Sequence, residues 1–165
     1  MSRGRWRMAG VALVMVAVVA LGAGQLGLLA GTAPDDLGVH QGRLKAPAST
    51  PNSVSSQAAL WEGHAMQQLA MIKPLPLRGT PAEAMARLRQ AVQAMPGAEV
   101  VTHRADYLYV RFTSRWLGFV DDAEFWADPA NRVIQLRSAS RLGASDLGAN
   151  RARIERLRAA LAAAG

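Results

Sequence analysis

The chain has 165 residues, half of them apolar and 5% aromatic, with 19 Lys and Arg against 12 Asp and Glu, a formal charge of +7 and no cysteine. That length allows one domain once the N-terminus is set aside, and the missing Cys excludes thiol catalysis, disulfides, Cys-bound metal and a lipidated N-terminal cysteine. The bases are mostly Arg spread along the chain, with no Lys-rich tail and no aromatic-basic stacking motif, so no nucleic-acid partner is expected.

The first element is a membrane signal. Arg3, Arg5 and Arg7 precede a segment without charge from Met8 to Pro34, and Asp35-Asp36 follow it. This polarity predicts a cytoplasmic N-terminus and an extracytoplasmic remainder. Met8 to Ala30 is long enough to span a bilayer, so residues 1–30 are expected to form an uncleaved single-pass anchor in the cell membrane. The alternative is a signal peptide cut after a small-residue site such as Gly22-Ala23-Gly24, releasing the rest as a secreted or periplasmic protein.

Residues 31–58 are rich in Gly, Pro, Ser, Thr and Asn, which predicts a linker or an ordered strap held through Asn52 and neighbouring hydroxyls. A single α+β domain is expected over 59–165. It opens with a short helix from Ala59 to Met71, then an extended Lys73-Pro74-Leu75-Pro76. Thr80, Pro81 and Glu83 form the cap, N1 and N3 of a capping box, and Met85, Leu88, Val92 and Met95 follow at helical spacing before Pro96-Gly97 stops the helix.

Strands are predicted in "AEVVTHR", "YLYVRFTS", "LGFVDDAEFWA" and "RVIQLRSAS", the last two joined by a turn at Asp128-Pro129-Ala130-Asn131. A final helix runs from about Asn150 to Ala163. Short connections favour an antiparallel sheet of about four strands with flanking helices on one face.

Period-two alternation places Phe119, Asp121, Ala123 and Phe125 on the core face with Ile134, Leu136, Ser138 and Ser140. Arg111, Asp122, Glu124 and Arg137 fall on the outer face, where cross-strand ion pairs are expected. Leu147, Asn150 and Ile154 share one helical stripe, which makes Asn150 either the N-cap of the last helix or a buried polar residue on its inner side. Ser145 and Asp146 flank the same turn.

The stretches "GRLKAPASTPNSVSSQA" (42–58), "YLYVRFTSRWLGFVDDAEF" (107–125) and "RSASRLGASDLGANRARIERLR" (137–158) resemble the domain of unknown function 1499 family. The resemblance implies a single domain, typically bacterial with relatives in chloroplasts, often behind a signal or membrane segment. It implies no mechanism. Family members usually carry Cys where this chain has Ser53, so a thiol role there does not extend to this protein.

Four chemistries can be weighed for the polar residues. Arg137, Arg141 and Arg151, with Ser138, Ser140 and the start of the last helix, are candidates for binding a small anion, a lipid headgroup or an acidic partner in the envelope. Asp121, Asp122 and Asp146 are the internal counter-charges that could instead neutralise them. Asp121, Asp122 and Glu124, with Asp146 and Asn150, form either a structural polar network or the carboxylates of a hydrolase or other enzyme. Asp122 and Glu124 share a face and could hold a hard cation, but Asp121 points the other way and His40, His64 and His103 are scattered, so no metal site and no cofactor are expected. Ser53, Ser55 and Ser56 with His40 or His64 supply the residue types of a hydrolase but no Gly-x-Ser-x-Gly elbow. The leading expectation is a non-catalytic, membrane-tethered binding domain.

Overall fold

A computed structural model describes residues 3–164. Met1, Ser2 and Gly165 lie outside it, including the head of the expected anchor segment. Helix α1 (Arg3–Gln25) is long and apolar enough over Met8–Gln25 to cross a membrane. It ends five residues before the expected Ala30, where residues 26–30 close a series of turns instead.

The domain is α+β and antiparallel, as its alternating strands require. The sheet has six strands rather than about four. β3 (Ala98–His103), β4 (Tyr107–Thr113), β5 (Val120–Asp128) and β6 (Val133–Ser140) form a meander. Two short strands, β1 (Ser53–Ser55) and β2 (Leu75–Pro76), line up end to end on the free edge of β6. Neither has the length or alternation to show in the sequence. β1 is three residues in a Ser-Pro setting, and β2 ends in a proline, which an edge strand tolerates. The helix expected over 59–71 is a 3-10 turn at Ala58–Leu60 followed by the single turn α2 (Gln67–Ala70).

Helix α3 (Pro81–Gln93) begins with the full capping box: the Glu83 amide donates to the Thr80 hydroxyl, and Glu83 Oε2 accepts from the Thr80 amide at 2.9 Å. Its Met85, Leu88 and Val92 bury fully against Leu108, Val110 and Phe125 of the sheet. Helix α4 (Ala149–Ala163) adds Ile154 and Leu157 to the same core. Both helices therefore cover the face on which alternation places the apolar residues.

The opposite face is not the solvent-facing surface expected of it. Residues 36–57 lie across it as a strap. Asp122, Glu124 and Arg137 are 1%, 0% and 4% exposed, so they form a second, polar interior layer. The β5–β6 half of the sheet is thus buried on both sides, by helices on one and by an extended segment on the other, whereas β3 keeps an exposed outer face.

Candidate functional site

The strap and the sheet are joined through the polar layer. The Gly38 amide donates to Glu124 Oε1 at 2.6 Å, and the Tyr107 hydroxyl donates to the same oxygen at 2.8 Å. Glu124 Oε2 is buried with no partner. Burial pushes the Glu124 carboxyl above the usual carboxylate range, against the lowering effect of those two donors and of the Arg137 charge. Burial and the facing Glu124 raise the Tyr107 phenol well above its usual value. Arg137 donates from Nε to the Ala46 carbonyl at 2.9 Å, and its burial lowers its pKa.

Asp122 meets neither Arg111 nor Arg137. Its carboxylate takes a two-point bond from Arg141, Nε to Oδ2 and Nη2 to Oδ1, both at 2.8 Å. The Tyr109 hydroxyl donates to Oδ1 at 2.6 Å, and burial together with that bond pushes the Tyr109 phenol up to about 12. The ion pair is nearly dry, at 6% and 2% side-chain exposure. Arg111 instead pairs with Glu99 on the neighbouring strand at 2.6 Å, at the surface. The expected cross-strand network is replaced because Arg141, just past β6, can fold back onto Asp122 with the planar fork that suits a carboxylate.

A second network closes the start of α4. Gly148 is the N-cap, with φ of 82°, so Asn150 lies inside the helix and is fully buried. Of its two readings, the buried polar residue is the observed one. Its Nδ2 lies within bonding distance of the Asn52 carbonyl (3.1 Å), Ser140 Oγ (3.0 Å) and Asp146 Oδ2 (2.9 Å). Its Oδ1 accepts from the Ser138 hydroxyl at 2.5 Å and from Arg153 Nη1 at 2.8 Å. Arg153 also pairs with Asp121 and lies over the Phe112 ring at 4.5 Å. Asp146 accepts from the Gly148 and Asn150 amides. Those bonds outweigh its burial and hold its carboxyl below the usual range. Leu147 does not share the Asn150 stripe: it precedes the helix and is 95% exposed.

The arginines of the anion-binding expectation are thus dispersed. Arg137 lies under the strap and Arg141 is paired with Asp122. Arg151 donates to the carbonyls of Leu69 and Met71 on the far side of α4, both at 2.9 Å. Ser138 and Ser140 face Asn150. The serines of the strap also bond locally: Ser53 Oγ accepts from the Ala48 amide, Ser55 Oγ from the Gln57 amide, and the Ser56 hydroxyl donates to Gln135. No His stands among those bonds, and His64 Nδ1 accepts from the Met66 amide at 3.1 Å. Among the described residues no three Asp, Glu or His side chains converge closely enough to hold a metal ion.

Two arginines without a carboxylate or carbonyl partner among the described residues, Arg115 and Arg156, occur elsewhere. A cleft of about 500 Å³ opens between the end of α3, the β4–β5 turn (114–119) and α4, lined by Arg115, Arg153 and Arg156 among apolar side chains. Sequence reasoning passed over Arg115 and Arg156. The available signal is the Arg115-Trp116 pair in a hairpin turn, with Trp116 left 64% exposed. A larger cleft of about 720 Å³ between α3 and α4 also has arginines at its rim. There Arg87 donates to the Arg78 carbonyl and Arg158 to those of Lys73 and Pro74. Neither cleft is lined by Asp121, Asp122 or Glu124.

The β4–β5 turn is also where α1 meets the domain. Gly24 packs on the backbone of Leu117 and Gly118, and the Gln25 side-chain amide donates to the Trp116 carbonyl at 3.3 Å. A family model described as "Protein of unknown function (DUF1499)" matches residues 43–161, from the strap to the last turns of α4. No curated protein matches the chain.

Proposed function

The chain belongs to the DUF1499 family, and from that premise we propose a non-catalytic role, in which α1 anchors the folded unit to the cell membrane and the unit binds an anionic partner on the extracytoplasmic side. The observation that carries this reading is the contact of the β4–β5 turn with the last turn of α1. It seats one end of the sheet where the helix leaves the apolar layer. From Trp6 to Gln25 the helix rises about 29 Å at 1.5 Å per residue, close to the ~30 Å hydrocarbon core. Trp6 and Trp116, both mainly exposed, then fall near the two interfaces, where Trp is enriched.

The proposed sidedness is supported by Arg3, Arg5 and Arg7 before the segment and Asp35 and Asp36 behind it. The unit on that side runs from the strap to α4, since β1 and Asn52 are built into the sheet edge and the α4 network.

A binding role is favoured over a hydrolase built on Asp121, Asp122 and Glu124. Asp121 and Asp122 are neutralised by Arg153 and Arg141, and Glu124 is sealed under the strap. A general acid or base must reach a substrate proton, directly or through one water. The test is alkaline washing of membranes followed by protease treatment of sealed cells or vesicles. The full chain staying in the pellet, with its domain digested only from the extracytoplasmic side, fits the proposal. Release by the wash, or protection from the outside, contradicts it.

A further inference from the structure

We propose that the cleft between the β4–β5 turn and α4 holds the phosphodiester of an anionic phospholipid, with Arg115 and Arg156 as its ligating cations. This rests on the reading that α1 crosses the bilayer, because that reading puts the cleft at headgroup depth.

Arg141, Arg153 and Arg158 pair with carboxylates, and Arg137, Arg87 and Arg151 donate to backbone carbonyls. Arg115 and Arg156 have neither kind of partner among the described residues, yet they line one cleft. Arg43, Arg78, Arg89, Arg104 and Arg132 also lack a carboxylate or carbonyl partner among the described residues, but Arg115 and Arg156 combine that lack with a shared cleft. Arg153 forms the fixed wall between them and the core, held by Asp121 and Asn150 and stacked on Phe112. Its charge is already met, so the net positive charge of the cleft comes from the other two.

The surroundings suit a headgroup rather than a free ion. Arg115 lies 4.9 Å from the centre of the Trp116 ring, a pairing of cation and aromatic face that belongs at a membrane interface. The same turn that supplies Arg115 to the cleft meets Gly24 at the end of α1 through Leu117 and Gly118, which brings the cleft toward headgroup depth on that reading. Met95 and Phe112 add apolar lining to the cleft that holds the cations. A guanidinium fork binds phosphate oxygens in pairs, and two unpaired forks in a cleft with apolar lining match a phosphate that carries an apolar tail.

The test uses the full chain in a neutral detergent, titrated separately with dihexanoyl phosphatidylglycerol, dihexanoyl phosphatidylcholine and inorganic phosphate. Thermal unfolding is read for wild type and for Arg115→Ala/Arg156→Ala. Both side chains are exposed, and Arg153 is left in place to keep Asp121 paired. Phosphatidylglycerol is expected to raise the wild-type midpoint by several degrees, with little shift from the other two and loss of the shift in the double variant. Arg115→Lys/Arg156→Lys is expected to keep part of the shift. An equal shift in wild type and the alanine variant overturns the site, and so does no shift in wild type. Inorganic phosphate matching phosphatidylglycerol overturns the lipid as ligand. Micelles require no crossing of a bilayer, so these outcomes stand apart from the alkaline wash that tests the anchor.

Discussion

Gly24, in the last turn of the apolar helix, and Gly118, in the β4–β5 turn, approach so closely that a Cβ on Gly118 would stand 2.5 Å from the Gly24 carbonyl oxygen. Gly118 also has φ of 64°, where a Cβ is strained whatever the space. This contact couples the apolar helix to the domain. Gly118→Val is expected to lift the turn from the helix and to speed tryptic cutting after Arg115 several-fold. Gly22→Val, one turn from the end of the helix with open space around it, is expected to leave that rate unchanged. Equal rates in the two variants would show that the contact does not hold the turn.

Asp122 and Arg141 form the driest ion pair among the described residues. Removing one partner strands the other, at a cost of about 3–5 kcal/mol. Asp122→Asn is therefore expected to lower stability steeply, as read by denaturant unfolding. Replacing both, Asp122→Leu with Arg141→Met, is expected to recover a large part of the loss, because the desolvation cost of both charges disappears. A double variant no better than the single one would mean that the pair contributes more than its own neutralisation.

Asn150 connects four segments: the strap at Asn52, β6 at Ser138 and Ser140, the turn at Asp146, and Arg153. Its loss leaves several buried groups unmet, each costing about 1–3 kcal/mol. Asn150→Ala is expected to cost at least that for one group, whereas Leu147→Ala, at a 95% exposed position, stays within about 0.5 kcal/mol of wild type. Comparable losses in the two would contradict the network.

Glu124 sets a pH dependence whose sign follows from burial. Its folded-state pKa is raised, while the unfolded chain releases that proton near the ordinary value of about 4.3. Its contribution is therefore full below about 4.3 and is lost as pH rises toward and through its folded value. Asp146, held below the usual range, acts in the opposite direction and loses its contribution as pH falls. Glu124→Gln keeps an acceptor for Gly38 and Tyr107 but cannot ionise. Its melting temperature relative to wild type is expected to climb between pH 4 and 7 (roughly the window above the unfolded value). A constant difference across that range would mean that Glu124 titrates at its ordinary value.

How far this was legible in the sequence depends on the range of the signal. Alternation is local, and it put Asp121 with Ser138 and Ser140, and Asp122 with Glu124, on the correct faces. The Thr80–Glu83 capping box is equally local. Partners were legible only in part: the reading of Asp121, Asp122 and Asp146 as counter-charges to Arg137, Arg141 and Arg151 holds for Asp122 with Arg141 and fails for Asp121. Asp122 is met by Arg141, and Asp121 by Arg153 from a helix 32 positions later, because folding back and docking choose among many arginines. The outer face looked exposed because nothing in a Pro-Ser-rich stretch shows that it lies flat on a sheet. Only the structure supplies the Gly38–Glu124 and Ala46–Arg137 bonds that cover those charges. Arg115 and Arg156, far apart in the chain, share a cleft only because α4 packs beside the β4–β5 turn.

The placement of that turn at the membrane surface is tested most directly by the depth of Trp116. The full chain, with Trp6, Trp61 and Trp126 replaced by Phe, is reconstituted into vesicles whose lipids carry bromine at defined acyl positions. Trp116 is expected to be quenched most by bromine nearest the headgroup and progressively less by deeper positions. Quenching no greater than for a control that keeps only Trp61 would place the turn in water and contradict the docking of this domain on the bilayer.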